Sequence, residues 1–140
     1  MTSDVGLFQI QDCRLLSVKL DINKASAPAA QAEVNIDLSM EHTYNDTDNT
    51  LHLVMGLDIT GKDIVMNISI RHEGVFRFNK KPKPEEHLSK TAEITCAAIL
   101  FPFVREIIAD LTMRAGFPPL MLDPVNFVEH YNNSHPKKSE

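Results

Sequence analysis

The chain has 140 residues, 43% of them hydrophobic, a net charge of -5 and a pI near 5.6. That length fits one domain with a real core, and the acidic balance argues against a nucleic-acid binder, which needs a basic stripe. Two cysteines, Cys13 and Cys96, make no disulfide scaffold and read as free thiols packed as small hydrophobes. The opening MTSDVGLFQIQ lacks a basic, then apolar, leader pattern, and no long apolar span follows, so a soluble, cytoplasmic protein without membrane contact is expected.

Residues 7–20, LFQIQDCRLLSVKL, read as a long strand. Phe8 and Ile10 alternate with Gln9 and Gln11, and Leu15–Leu16 then shifts the phase, which predicts a bulge. The small, proline-containing stretch 24–32, KASAPAAQA, predicts a loop. In 33–42, EVNIDLSMEH, Val34, Ile36, Leu38 and Met40 share one face against a polar other face. YNDTDNT turns the chain, and LHLVMGLDI, 51–59, repeats the alternation. TGK predicts a tight turn at Gly61, IVMNISIRH, 64–72, alternates again, and EGVFRF predicts a bend at Gly74. Short turns between successive strands imply antiparallel pairing, with one apolar face to cover.

Residues 79–87, NKKPKPEEH, predict a charged linker, with Lys80, Lys81 and Lys83 in a solvated loop. AAILFPFVREIIADLTMR, 97–114, predicts a helix with Leu100, Val104, Ile107, Ile108 and Leu111 on one stripe. Pro102 belongs in a first turn or at a kink. Ile99 and Phe103 form a second apolar edge, wider than one sheet needs. Gly116 and Pro118 stop the helix. GFPPLMLDPVNF, 116–127, with three prolines and six large apolar side chains, is neither helix nor central strand. NFVEHYNN allows a short C-terminal helix, and residues 130–140 are expected to fray. The class is α+β: a four-stranded antiparallel sheet with two C-terminal helices, in a single domain of residues 1–140.

Catalytic motifs are weak. His42, His52, His72, His87, His130 and His135 form no HxH or HxxxH pair, and neither cysteine belongs to a CxxC. GxSxG and P-loop patterns are absent, and EEH at 85–87 reads as a solvated charge run. Cys96, close to the expected helix start, has apolar neighbours that favour buried packing over reactivity. No metal or cofactor is implied, and the chain is not expected to be an enzyme. Excess apolar surface is the stronger signal. The wide helix, the Pro-rich segment and the last helix compete to cover one sheet face. Either the core is large, or a face remains for a second subunit or a bound peptide.

FQIQ at 8–11, AEVNIDL at 32–38, EGVFRF at 73–78 and ILFPFVREIIADLTMRAGFPPLMLDPVNF at 99–127 resemble the SecB protein-export chaperone family, in order over most of the chain. The most specific part is ILFPFVRE followed by GFPPLMLDPVNF. The resemblance implies an ATP-independent cytoplasmic holdase, without cofactor, that assembles as a dimer of dimers. It would hold non-native polypeptides in long hydrophobic grooves, unfolded for export. By position, the groove would take Val34, Ile36, Leu38, Ile68, Ile70, His72, Phe117, Leu120, Leu122, Val125 and Phe127, with plain core beneath the helix as the alternative for the strand residues. The subunit interface would take Leu100, Val104, Ile107, Ile108 and Leu111.

Family members dock the SecA translocation motor on an acidic outer sheet face. The matching positions here are Ser17, Asp21, Asn67 and Ser69, with Arg71 nearby, and only Asp21 keeps a carboxylate. The tail HPKKSE also lacks acidic character. Weakened charge complementarity argues against motor docking. It leaves open a second use known for SecB-like chaperones, protection of the antitoxin of a toxin–antitoxin pair. An enzyme or small-ligand binder on this scaffold is disfavoured, since no polar constellation converges.

Overall fold

A computed structural model describes residues 8–22, 35–60 and 66–136. Val34, the TGK turn and the loop expected over 24–32 lie outside the described residues. Strands β1 (Phe8–Ile22), β2 (Asn35–Asn45), β3 (Thr50–Thr60) and β4 (Met66–Phe78) form one antiparallel sheet in the order β1-β4-β3-β2. The chain therefore has the expected four-stranded α+β fold, with β1 and β2 at opposite edges.

The register of β1 against β4 jumps between Ile10 and Asp12 and again between Leu15 and Ser17. Each extra residue, Gln11 and then Leu16, inverts the side-chain alternation once. Phe8, Ile10, Cys13, Leu15, Val18, Leu20 and Ile22 thereby stay on one face, opposite Phe78, Phe76, Gly74, His72, Ile70, Ile68 and Met66. The Leu15–Leu16 phase shift is the second of these bulges. At Gly74, where a bend is expected, β4 continues unbroken to Phe78. A Cβ there would lie 2.9 Å from the Phe76 ring and 3.1 Å from Leu100 Cδ1, so glycine lets a helix approach the sheet.

The helical run starts earlier than the sequence predicts. Helix α1 (Glu85–Lys90) leads through a π-helical turn (Thr91–Cys96) into α2 (Ala97–Arg114). Glu85, Glu86 and His87 are thus the first helical turn, not a loop. Their carboxylates suit a helix start, where backbone N–H groups are free. Pro102 stands in mid-run, on an exposed position. Leu88, Ala92, Cys96, Leu100, Val104, Ile108 and Thr112 are all buried at four-residue spacing. On an α-helix that spacing drifts by about 40° per step. The wider π turn offsets part of the drift and keeps the row on the sheet.

The row packs on Leu51, Leu53, Met55, Leu57 and Ile59 of β3 and Ile68, Ile70 and Phe76 of β4, forming the core. A last helix, α3 (Phe127–Ser134), follows the Pro-rich strip. Residues 130–134, expected to fray, belong to α3 because Phe127 and Tyr131, one turn apart, are both buried.

Candidate functional site

The Pro-rich strip is held rigidly at its start. Gly116 (φ +92°) ends α2 in a Schellman cap: Phe117 N–H donates to Thr112 O and Gly116 N–H to Met113 O, both at 3.0 Å. Thr112, almost fully buried, links helix and strip. Its hydroxyl accepts the Leu120 N–H at 2.9 Å and lies 2.9 and 3.0 Å from the Ala109 and Ile108 carbonyls, to which it donates. Leu122 and Phe127 are buried anchors, and Phe127 meets Phe101 edge to face at 5.7 Å. Phe117, Leu120 and Val125 are half-buried, while Met121 is 63% exposed. The strip therefore keeps a fixed course and leaves apolar surface open.

Helix α3 ties this strip to edge strand β2. Asn126 caps the helix by accepting the Glu129 N–H at 3.1 Å. His130 Nε2 lies 3.1 Å from the Leu38 carbonyl, which can only accept, so Nε2 carries the proton. The other nitrogen, Nδ1, is buried and has no partner among the described residues. Near the same junction, buried Glu93 on the π turn faces His42 of β2 at 3.2 Å and His135, after α3, at 3.8 Å. Sequence reasoning missed Thr112, His130 and this cluster. Residues 42, 93 and 135 are far apart in the chain, and no local pattern joins them.

Of the groove residues expected from sequence, Leu38, Leu120, Leu122, Val125 and Phe127 come together around the core, and Ile36 remains 49% exposed. Phe117 follows directly on the helix cap. Ile68, Ile70 and His72 are placed differently: all are buried on the central strand β4 beneath the helical run, which is the plain-core alternative for these strand residues. The helix stripe needs a correction. Leu100, Val104 and Ile108 are fully buried against the chain's own sheet, with Ile107 and Leu111 half-buried beside them. The open apolar edge of α2 is the other one, Ile99 with Phe103, the latter 45% exposed.

That edge neighbours a second apolar surface. Ile10, Leu15, Leu16, Val18 and Ile22 of β1 are all substantially exposed. Phe103 bridges toward them, its ring stacked on His72 at a centroid distance of 6.5 Å, and His72 is the register partner of Leu15. Cys13 Sγ lies 3.6 Å from His72 Nδ1. Burial raises the Cys13 thiol above its usual range, with Asp12 adding to it, and burial lowers the His72 imidazole. The pair is thus biased toward neutral thiol and neutral imidazole, the wrong state for a nucleophile. Cys96, now inside the helical run, is pushed up to about 12 by burial. Among the described residues, no group of three or more His, Cys, Asp or Glu could hold a metal ion.

On the opposite, uncovered sheet face, Ser17, Asp21, Asn67 and Ser69 do cluster. Asp21 pairs in register with Asn67, Lys19 with Ser69, and Ser17 with Arg71. Asp21 is 3.7 Å from Lys19, and Ser69 donates to Asp58 at 2.6 Å. The one carboxylate among the four is therefore offset by a neighbouring ammonium.

Residues 6–138 match the family model "Preprotein translocase subunit SecB". Proteins described as protein-export protein SecB from Brucella ovis and Brucella melitensis are each 44% identical over 73 residues, 52% of this chain. The matched region spans 44% of those relatives' length. Among solved structures, the Rv1957 SecB-like chaperone of Mycobacterium tuberculosis, in complex with a ChAD peptide from the HigA1 antitoxin, superposes with a TM-score of 0.73. It is 23% identical, over 86% of this chain and 91% of that one, and shares the fold. No helix among the described residues is long and apolar enough to cross a membrane.

Proposed function

The chain belongs to the SecB family, and on that premise we propose that it is an ATP-independent holdase that keeps non-native polypeptides unfolded for export. The observation that carries the reading is the apolar strip 117–127, pinned by Thr112 and followed by α3, whose His130 reaches edge strand β2 at Leu38, with Ile36 and Met121 open to solvent. A non-native chain exposes apolar side chains and unpaired backbone. Covering one Leu, Ile or Met fully is worth roughly 1.5–3 kcal/mol, and many such contacts along a long segment add up to firm holding. The β2 edge offers main-chain pairing to an extended client. Binding only the unfolded form opposes folding by mass action, so no nucleotide is required.

The working unit is an assembly of identical single-domain chains, a dimer of dimers. The exposed β1 row with Ile99 and Phe103 is its subunit contact. The site of action is the cytoplasm, and the chain is not an enzyme.

A second reading is favoured by the outer sheet face. Around Ser17, Asn67 and Ser69 the charges are mixed, Lys19 and Arg71 standing beside Asp21 and Asp58, a weaker match for motor docking than a uniformly acidic face. In that reading the groove serves the antitoxin of a toxin–antitoxin pair, as an antitoxin peptide is held in the Mycobacterium tuberculosis complex.

The test uses an unrelated, slowly refolding protein. The full chain should delay its refolding, and an Ile36→Ser, Met121→Ser variant should lose most of the delay while keeping its assembly. Unchanged refolding with the parent chain would sink the holdase reading. Strong SecA binding would remove the antitoxin alternative.

A further inference from the structure

At the far end of the sheet from Ile36, an open cleft of about 540 Å³ lies between the start of β1, the end of β4 and the first turns of the helical run. Its floor is aromatic: Phe8 and Phe78 line it and stack at 5.0 Å, and Tyr44, outside the lining, meets Phe78 edge to face at 5.9 Å. Its rim carries three ammonium groups, Lys80, Lys81 and Lys83, with His87 beside them and no carboxylate among the lining residues. Lys81 is committed: its Nζ is 2.9 Å from Asp46 and 5.1 Å from the centre of the Tyr44 ring. Lys80 and Lys83 are exposed and form no ion pair among the described residues. The Thr95 and Thr91 side chains line the helix side, and the Thr91 hydroxyl already donates to the His87 carbonyl at 2.9 Å.

This composition differs from that of the strip 117–127, which is apolar and carries Asp123 as its one charged residue. An aromatic floor takes an apolar side chain, and uncommitted ammonium groups at the rim favour carboxylates beside it. Asp46, and after it Glu85, act on Lys81. We propose that this cleft is a second polypeptide-docking site, selective for acidic segments that carry an aromatic or large aliphatic side chain. It extends the chain's reach beyond a purely apolar groove: the strip takes apolar stretches of a polypeptide, and the cleft takes an acidic stretch with a single apolar anchor. The inference concerns binding alone and stands whether or not the chain delays refolding.

The probe is a fluorescent peptide alternating Glu with Phe, titrated with the full-length chain by anisotropy, beside a Lys–Phe peptide of the same length. The acidic peptide should bind at least about tenfold tighter. Its affinity should fall as salt is raised, because rim charges are screened over about 8–10 Å near physiological ionic strength. Lys80→Glu with Lys83→Glu should abolish the preference. Ile36→Ser with Met121→Ser should leave it intact, which separates this site from the groove. Equal binding of the two peptides, or an acidic preference that survives the lysine reversal, overturns the proposal. So does a loss of assembly in the Lys80→Glu, Lys83→Glu variant, seen by light scattering, because the cleft would then be a contact between copies of the chain. Both lysines are exposed, so the double variant is expected to fold, and unchanged thermal unfolding checks that.

Discussion

The two edges of the sheet are built from similar residues and finished in opposite ways. Edge strand β1 carries a row of aliphatic side chains on the helix side of the sheet, kept in phase by two bulges, and most of that row stays exposed. Edge strand β2 pairs with β3 without a register shift, and its apolar residues beyond Ile36 are half-covered. His130 of α3 even occupies one of its carbonyls. Central β3, between them, buries Leu51, Leu53, Met55, Leu57 and Ile59 almost completely. The helical run thus covers the middle of the sheet, and the surplus apolar surface lies at its margins. A bulged, twisted edge is poorly suited to adding a strand, so β1 fits side-chain contact with a second copy. A regular edge with a removable cap fits an extended guest.

The largest effect is expected at β1. Leu15→Asp with Val18→Asp places two charges in the row that the proposed subunit contact covers. Association should weaken by a hundredfold or more, about 3 kcal/mol, read as a fall in solution mass on dilution. Both positions are more than 40% exposed in the single chain, so its fold should persist by circular dichroism. Unchanged mass would erase the proposed difference between the edges.

For the strip that leads to α3 and so to β2, the corresponding change is Thr112→Val. It keeps the shape, removes the hydroxyl and leaves the Leu120 N–H without its partner. A loss of about 1–2 kcal/mol in chemical denaturation is expected, because a half-buried donor is stranded. Client holding should fall with it, while solution mass does not. If holding is unaffected, the strip does not form a groove wall.

Much of this contrast could be read from the residues. The phase slip at Leu15–Leu16 announces a bulge, and the alternation in 35–59 gives a regular β2–β3 hairpin. GFPPLMLDPVNF announces a fixed apolar segment after the helix. The covering of each edge was not legible, because it depends on where the helical run crosses the sheet. That course is set by a helix start at Glu85, hidden among prolines and charges, and by a π turn with no local signature. Hence the sequence leaves Ile68, Ile70 and His72 open between groove and core, and they lie in the core. The stripe Leu100–Val104–Ile108 was expected to face a neighbour and faces the chain's own sheet. Thr112 escaped notice because a threonine inside an apolar helix looks incidental until its hydroxyl is seen to hold the next segment.

A smaller change separates cap from guest. His130→Ala frees the Leu38 carbonyl at the β2 edge and removes the unpartnered Nδ1. The lost hydrogen bond is worth about 0.5–1.5 kcal/mol, partly offset by relief of the orphaned nitrogen. If extended clients pair with this edge, their affinity should rise a few-fold, measured by anisotropy with an unfolded peptide. A fall would mean that His130 itself contacts the guest.

The smallest effect distinguishes the edges by pH. His72 lies beside Cys13 on β1 and under Phe103, and burial holds its imidazole below the ordinary value of 6.5, with a backbone hydrogen bond at Glu73 opposing. The unfolded chain takes up a proton near pH 6.5 that the folded chain accepts only at lower pH. Stability from this group is therefore complete above 6.5 and is lost as pH falls from 6.5 through the folded value. His72→Phe should flatten that part of the stability profile. If a second copy covers the β1 row, His72 is shielded further in the assembly, and its imidazole is lowered further. The acid slope should then be steeper at concentrations where the assembly persists and shallower in the Leu15→Asp, Val18→Asp variant. A slope that ignores both concentration and that variant would place His72 wholly within the single chain's core, away from any subunit contact.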